Sequence, residues 1–325
     1  MRPALFLVIR ILMSAGLLYL SLRNIHFDAL RARLNHFGFG WFALAILATL
    51  AQVVLSAFRW CEVAERCGTP LGGGQAIKFN MIGTFFNQTL PSSIGGDAMR
   101  LWLFGRIAGW RAATYSVLVE RAIGLIALAI IIVGSLPWSY PLITSVKGQA
   151  ALVIIGGAAL ASSIGFLVLG ALSWPWLKRW WPLRHIHACG EIANTVLFNA
   201  RSGPNVAVLS LAIHVLAVVT AWCCAMAIHA SVSFWQVFLL IPPIMLITML
   251  PISIAGWGVR EASMTVAFGY AGLLTNEGTV VSLLFGIVTF IAGAMGGLVW
   301  ISSPEKRDKA AAIVPRLDGD RTPYP

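Results

Sequence analysis

Charge is what this sequence has least of. Only 11% of its 325 residues are Asp, Glu, Lys or Arg, and just 12 are acidic, against about 25% charged residues in ordinary soluble domains. A chain so poor in charge and 58% apolar lacks the polar surface that water-soluble domains need, and its length is taken up by membrane spans. Cysteine is sparse as well. Cys61, Cys67, Cys189, Cys223 and Cys224 form no paired framework, and the adjacent Cys223 and Cys224 read as small apolar residues inside a span. The chain contains no GxxxxGK[ST], GxSxG or HExxH pattern, so nothing supports nucleotide hydrolysis or protease chemistry. His185, His187 and Cys189 alternate, but no second cluster completes a tetrahedral set, and neither a metal nor a cofactor is expected.

The basic residues that are present give a net charge of +11. They lie in short clusters between apolar runs rather than in a separate basic domain, which is the positive-inside pattern and excludes nucleic acid as a partner. Apolar windows predict six spans, at about 4–22, 41–58, 113–136, 150–173, 206–230 and 278–301. The first is read as a retained span rather than a signal peptide, because Arg10 interrupts it and no small-residue cleavage site follows. Lysine and arginine in the 174–205 linker and after the last span place both termini in the cytoplasm, with Arg23, Arg31 and Arg33 against the trend. The linker's Trp174-Pro175-Trp176-Leu177-Lys178-Arg179-Trp180-Trp181 has a headgroup-level composition. It reads either as an ordinary interfacial anchor or as a contact for anionic lipid heads. The tail 303–325 is charged and Pro-containing, and is expected to be disordered and cytoplasmic.

Two further apolar regions, 76–106 and 234–272, each carry a break. Leu90-Pro91-Ser92-Ser93-Ile94-Gly95-Gly96-Asp97-Ala98-Met99-Arg100 nearly recurs 160 residues later as Leu250-Pro251-Ile252-Ser253-Ile254-Ala255-Gly256-Trp257-Gly258-Val259-Arg260, with six of eleven positions identical. Proline ends a helix because it lacks an N–H and clashes with the preceding turn, and glycine permits the reversal. Each region therefore reads as two short helices forming a re-entrant hairpin. Each half then has three spans and one hairpin, an odd number of crossings, so tandem copies must be inverted. The predicted architecture is an all-α polytopic membrane protein with an inverted-topology repeat, about six transmembrane helices plus two re-entrant helical hairpins. One transmembrane domain covers 1–302, with repeat one at about 1–140 and repeat two at about 150–302.

The candidate substrate-binding residues sit at and around the breaks. Asn87, Ser92, Ser93, Gly95, Gly96, Asp97 and Arg100 belong to the first; Ser253, Gly256, Arg260 and Glu261 belong to the second. The outgoing half-helix points its positive end and free amides into the membrane interior, where a phosphate or carboxylate is favoured, and Arg100 supplies a bidentate donor. Asp97 has two open readings, a helix cap and a cargo contact. Cross-pairs between the hairpins, Asp97 with Arg260 or Glu261 with Arg100, would lock one state of a transporter. Arg260 and Glu261 are sequence neighbours about 100° apart on a helix and need not pair. Glu120 and Arg121 have only valines as counterparts 160 residues on, and read either as substrate site or as an interfacial snorkelling pair. Arg59 reads as a positive-inside anchor, and His214 and His229 as hydrogen-bonded core residues. Gly293 and Gly297 form a GxxxG packing face, within the chain or in a homodimer.

The run Phe86-Asn87-Gln88-Thr89-Leu90-Pro91 through Asp97 and Arg100, with Glu120-Arg121 and then Leu250-Pro251 through Arg260-Glu261, resembles the lysylphosphatidylglycerol synthase transmembrane-region family, over roughly residues 5–302. That resemblance implies a bacterial inner-membrane, multi-pass flippase-like protein that moves a lipid between leaflets, with a membrane lipid of anionic headgroup as its partner and no catalytic residues. In larger relatives the region flips the product of an attached transferase domain. This chain stops about 25 residues after its last span, so aminoacyl transfer is not expected. A membrane-embedded lipid-linked transferase or hydrolase using Asp97 or Glu120 as base, an ion-coupled solute carrier, and a partner of a lipid-biosynthesis enzyme are the other readings left open.

Overall fold

The computed structural model describes residues 16–20, 36–89, 95–172, 180–249, 253 and 256–303, and among these the regular structure is entirely helical. Five helices are long and apolar enough to cross a membrane: α1 (Phe39–Arg66), α4 (Trp110–Leu142), α5 (Val146–Ala171), α7 (Ser202–Ala227) and α10 (Thr275–Ser302). They cover the last five predicted spans. The first span (apart from 16–20), Arg10, the 174–179 stretch and the tail lie outside the described residues.

The two broken regions are each two short helices, as the Pro-Gly punctuation requires. They are α2 (Gly73–Thr89, 17 residues) and α3 (Gly95–Ala108, 14 residues), then α8 (Phe234–Thr248, 15 residues) and α9 (Val259–Tyr270, 12 residues). At 1.5 Å per residue each is about 18–26 Å long, short of a hydrocarbon core of roughly 30 Å. α8 starts on a reciprocal cap: Gln236 N–H donates to Ser233 Oγ at 3.2 Å, and Ser233 N–H donates to the Gln236 side chain at 2.9 Å. α9 follows Gly256 and Gly258, both in the left-handed region at φ 80° and 83°, which only glycine adopts freely.

Helix order repeats at a nearly constant offset: α1 with α7, α2 with α8, α3 with α9, α4 with α10. Packing follows the same exchange. α1 touches α2 and α4, and α7 touches α8 and α10; α2 lies on α3 and on α10, and α8 lies on α9 and on α4. α1 and α7 pack on each other and run antiparallel. Gly38 N–H donates to Ala227 O at 2.9 Å at one end, Gln52 to Thr220 Oγ1 at 3.2 Å midway, and Asn205 to Glu62 at 2.6 Å near the other.

The Gly293/Gly297 face packs within the chain, on α2. A Cβ on Gly296 would run into the Met81 carbonyl, while Gly297 lies against Phe85. The 174–205 linker holds a helix that composition alone does not reveal, α6 (Trp181–Leu197). It exposes Trp180, Trp181 and Phe198 and is held to the end of α5 by a Gly170–Gly190 backbone contact with no room for a side chain. His185 bonds Tyr115 Oη at 2.7 Å and His187 bonds the Leu172 carbonyl at 2.6 Å. Among the described residues no three metal-ligating groups converge.

Cys67 and Cys189 lie beyond the spans. Burial, with Cys189 nearby in the case of Cys67, pushes both thiols up to about 11. The thiolate is the reactive form, so maleimide labelling of these two is expected to be slow at neutral pH and to climb steadily as the pH is raised towards 11. A labelling plateau reached near pH 8.5 would contradict this.

Candidate functional site

The α2–α3 hairpin is closed by a glycine contact. Gly83 on α2 faces Gly96 on α3, and a Cβ on Gly96 would overlap the Gly83 carbonyl and the Asn87 amide. Gly96 N–H donates to Asn87 Oδ1 at 2.8 Å. This corrects the expectation of a free amide at Gly96: this first-turn donor of α3 is used to hold the hairpin shut. Ser92 and Ser93 lie outside the described residues, Gly95 begins α3, and Ser253 is buried.

This close approach brings Arg100 against α1 and α4, where it enters a five-residue charge network. Arg59 grips Glu120 Oε1 through Nε at 3.2 Å and Nη2 at 2.6 Å, and Ser56 Oγ donates to the same oxygen at 3.2 Å. Arg100 Nη1 donates to Glu120 Oε2 at 3.3 Å and to Asp97 Oδ1 at 3.4 Å. Asp97 Oδ2 pairs with Arg121 Nε at 2.7 Å. Arg59 also reaches Ser210 on α7 at 3.1 Å. Behind Arg100 stands the Trp60 ring, 4.2 Å from the guanidinium carbon, fixed by its own N–H donated to Ser116 at 3.1 Å. Gly124 leaves the space that the Arg59 guanidinium occupies.

Arg59, Arg100 and Glu120 are all nearly inaccessible, at 6%, 6% and 2%. Three guanidiniums face two carboxylates, so the network carries one surplus positive charge. Arg100 is also short of acceptors: its Nε and Nη2 are buried with no hydrogen-bond partner among the described residues. Such donors are costly away from water and mark a place where an acceptor binds. His214 adds a second unfilled valence. Its Nε2 bonds the Gly124 carbonyl at 2.9 Å, so Nε2 carries the proton and the unpartnered Nδ1 is an acceptor.

The network lines a cavity of about 240 Å³, together with Asn80, Asn87 and His214. A second cavity of about 220 Å³ adjoins it, lined by Gln88, Gly256, Arg260 and Phe285. Asn87, Arg121, Met245 and Met249 border both. Arg121, which keeps 39% of its side chain accessible, is the cation that lines both chambers.

The second break builds a neutral counterpart. Glu261 Oε2 accepts from Gly258 N–H at 2.6 Å, and Glu261 Oε1 accepts from Arg260 Nη2 at 3.1 Å and from Ser282 Oγ at 2.9 Å. Arg260 Nε also donates to Ser282 at 3.2 Å, under the rings of Trp257 and Phe285. Arg260 and Glu261, which helix geometry alone does not require to pair, do pair, because a long guanidinium bends back and Ser282 bridges the angle. The cross-pairs Asp97–Arg260 and Glu261–Arg100 are not made: each hairpin's charges close within its own half. Asp97 and Glu261 are each the third residue of their helix. The acidic counterpart of Asp97 is therefore Glu261, not Trp257, as the motif alignment suggests.

Two sequence readings are corrected here. Arg59 is no interfacial anchor; α1 runs on to Arg66, so Arg59 lies about 10 Å inside the helix end at 1.5 Å per residue. Glu120 is not a snorkelling residue but the centre of the network. The residues after Arg59 include Glu62, Glu65 and Arg66 and end the apolar run, so the sequence carries no local signal of this.

These features define a polytopic helical membrane protein with a buried, net-positive chamber at a doubled helix break. The family model for the lysylphosphatidylglycerol synthase TM region matches residues 7–297, and the chain belongs to that family. No curated protein matches it.

Proposed function

We propose that the chain carries a lipid with an anionic headgroup between the leaflets of a bacterial inner membrane, as a flippase rather than an enzyme. The carrying observation is Arg100, buried in a net-positive chamber with two donors unpaired. A phosphate presents the acceptors that those donors lack. Both oxygens of Glu120 are occupied by cations, which favours a binding and positioning role over that of a general base. The antiparallel α1–α7 pair and the exchange-invariant packing support an inverted repeat with re-entrant hairpins. An inverted repeat lets the two chambers open to opposite leaflets in turn, with the headgroup passed by way of Arg121.

The test is translocation in proteoliposomes loaded with fluorescent phosphatidylglycerol, phosphatidylethanolamine or a polyprenyl phosphate. Accelerated translocation is expected for at least one phosphate-bearing lipid, with a loss of tenfold or more in Arg100→Gln. No acceleration with any of the three, from protein that is folded by its melting curve, would sink the reading.

A further inference from the structure

An apolar cleft opens beside the charged chambers, between α5 and α8. α5 rests mainly on α4 and α6 and touches α8 only slightly. Its buried positions are few: Gly148, Leu152, Gly156, Ser163 and Gly170. The gap consists of two cavities, about 550 Å³ and about 290 Å³, which share Ile155 on α5 and Ile247 on α8. Their walls are almost wholly hydrocarbon. On α5 the lining mixes small residues with Ile155 and Phe166 and keeps to one face, running from Gly148 through Ala151, Ile155 and Ala158 to Ser162 and Phe166. The eighteen steps of 1.5 Å from residue 148 to residue 166 make this face about 27 Å long, close to the roughly 30 Å of a bilayer's hydrocarbon layer.

The cleft does not end blind. Met249, at the inner end of α8, borders the larger apolar cavity and both charged chambers. A molecule with its anionic end at Arg100 and a hydrocarbon chain in the cleft would therefore pass Met249. Small residues on α5 open the width, and the unpaired Arg100 donors supply the reason for an anion at the inner end.

We infer that the α5–α8 cleft is the tail slot of the carried lipid, which holds one hydrocarbon chain while the headgroup occupies the Arg100 chamber. Resting on the headgroup reading above, it adds that tail recognition is separate from headgroup recognition. A slot nearly as long as the bilayer is thick keeps the chain in apolar surroundings in either leaflet. Met249, flexible and unbranched, is suited to a sill that yields as the chain passes.

The test compares two phosphatidylglycerols with one headgroup, palmitoyl-oleoyl and dihexanoyl, binding to the detergent-purified full chain. Ala158→Trp and Ser162→Trp each fill the slot from an accessible position, so at least one is expected to fold with an unchanged melting curve. The slot variants are expected to weaken long-chain binding tenfold or more and short-chain binding less than twofold, whereas Arg100→Gln weakens both. Unchanged long-chain binding in both slot variants overturns the slot and leaves the headgroup reading standing. Loss in the slot variants with none in Arg100→Gln overturns the headgroup reading and keeps the slot. No binding of either lipid to the wild-type chain overturns both. A benzophenone side chain at position 158 is expected to cross-link to lipid in native membranes. Cross-linking to this chain's own first span, or to a second copy, would show a protein occupant and overturn the slot.

Discussion

Glu120→Ala is expected to destabilise the protein by about 3–5 kcal/mol, because it removes the acceptor shared by two buried guanidiniums. Arg59 would keep only Ser210, and Arg100 only Asp97 at 3.4 Å. The chamber's surplus would rise from one positive charge to two, around guanidiniums that are nearly inaccessible to solvent and so weakly screened. Loss of a carboxylate should cost far more than loss of a pair. Arg59→Met combined with Glu120→Met replaces opposite charges by side chains of similar length, and is expected to recover most of the stability, as buried pairs exchanged for apolar residues commonly do. Melting curves of the single and double variants in one detergent give the comparison. A Glu120→Ala protein that melts within a degree or two of wild type would show that the network does not hold α1, α3 and α4 together.

The distinction between scaffold and network also marks how far the sequence could be read. Helix breaks are local chemistry. Pro91 and Pro251 with the glycines around them identify both broken regions without any knowledge of neighbours, and the four short helices fall there. Spans are equally local, since twenty apolar residues announce themselves. Partner choice is not local. Arg59 and Glu120 are 61 residues apart, and what joins them is the Gly83–Gly96 approach and the space at Gly124, neither visible as a pattern. Arg59 looked like a helix-end anchor because Glu62, Glu65 and Arg66 follow it and end the apolar run, although the helix itself continues through them to Arg66. The motif alignment misled for a related reason. It matched Arg100 to Arg260 along the chain but hid that Glu261 occupies the helix position of Asp97, so that each arginine has a carboxylate partner on its own helix. α6 escaped notice because its Trp, Pro and His were read as interfacial composition alone, although Cys189, Ala193 and Val196 recur at helical spacing on one buried face.

Gly296→Val carries the other large expected effect, since even the first added carbon would meet the Met81 backbone carbonyl rather than a side chain that can swing away. Overpacking typically costs about 1–3 kcal/mol and more when backbone must move. Here α2 would have to part from α10, with Gly293 and Gly297 on the same face resisting the shift. α2 also carries Asn80 and Asn87, which line the charged chamber. The variant is therefore expected to lose both thermal stability and lipid translocation. Gly157→Ala and Gly165→Ala are the controls. A Cβ at either position meets nothing within 4 Å, and in a helix interior alanine is favoured over glycine by about 0.5–1 kcal/mol. Those two should melt at or slightly above wild type with translocation intact. Equal behaviour of Gly296→Val and the controls would show that α2 and α10 are not in tight contact. The geometry that presents Arg100 to the chamber would then need another support.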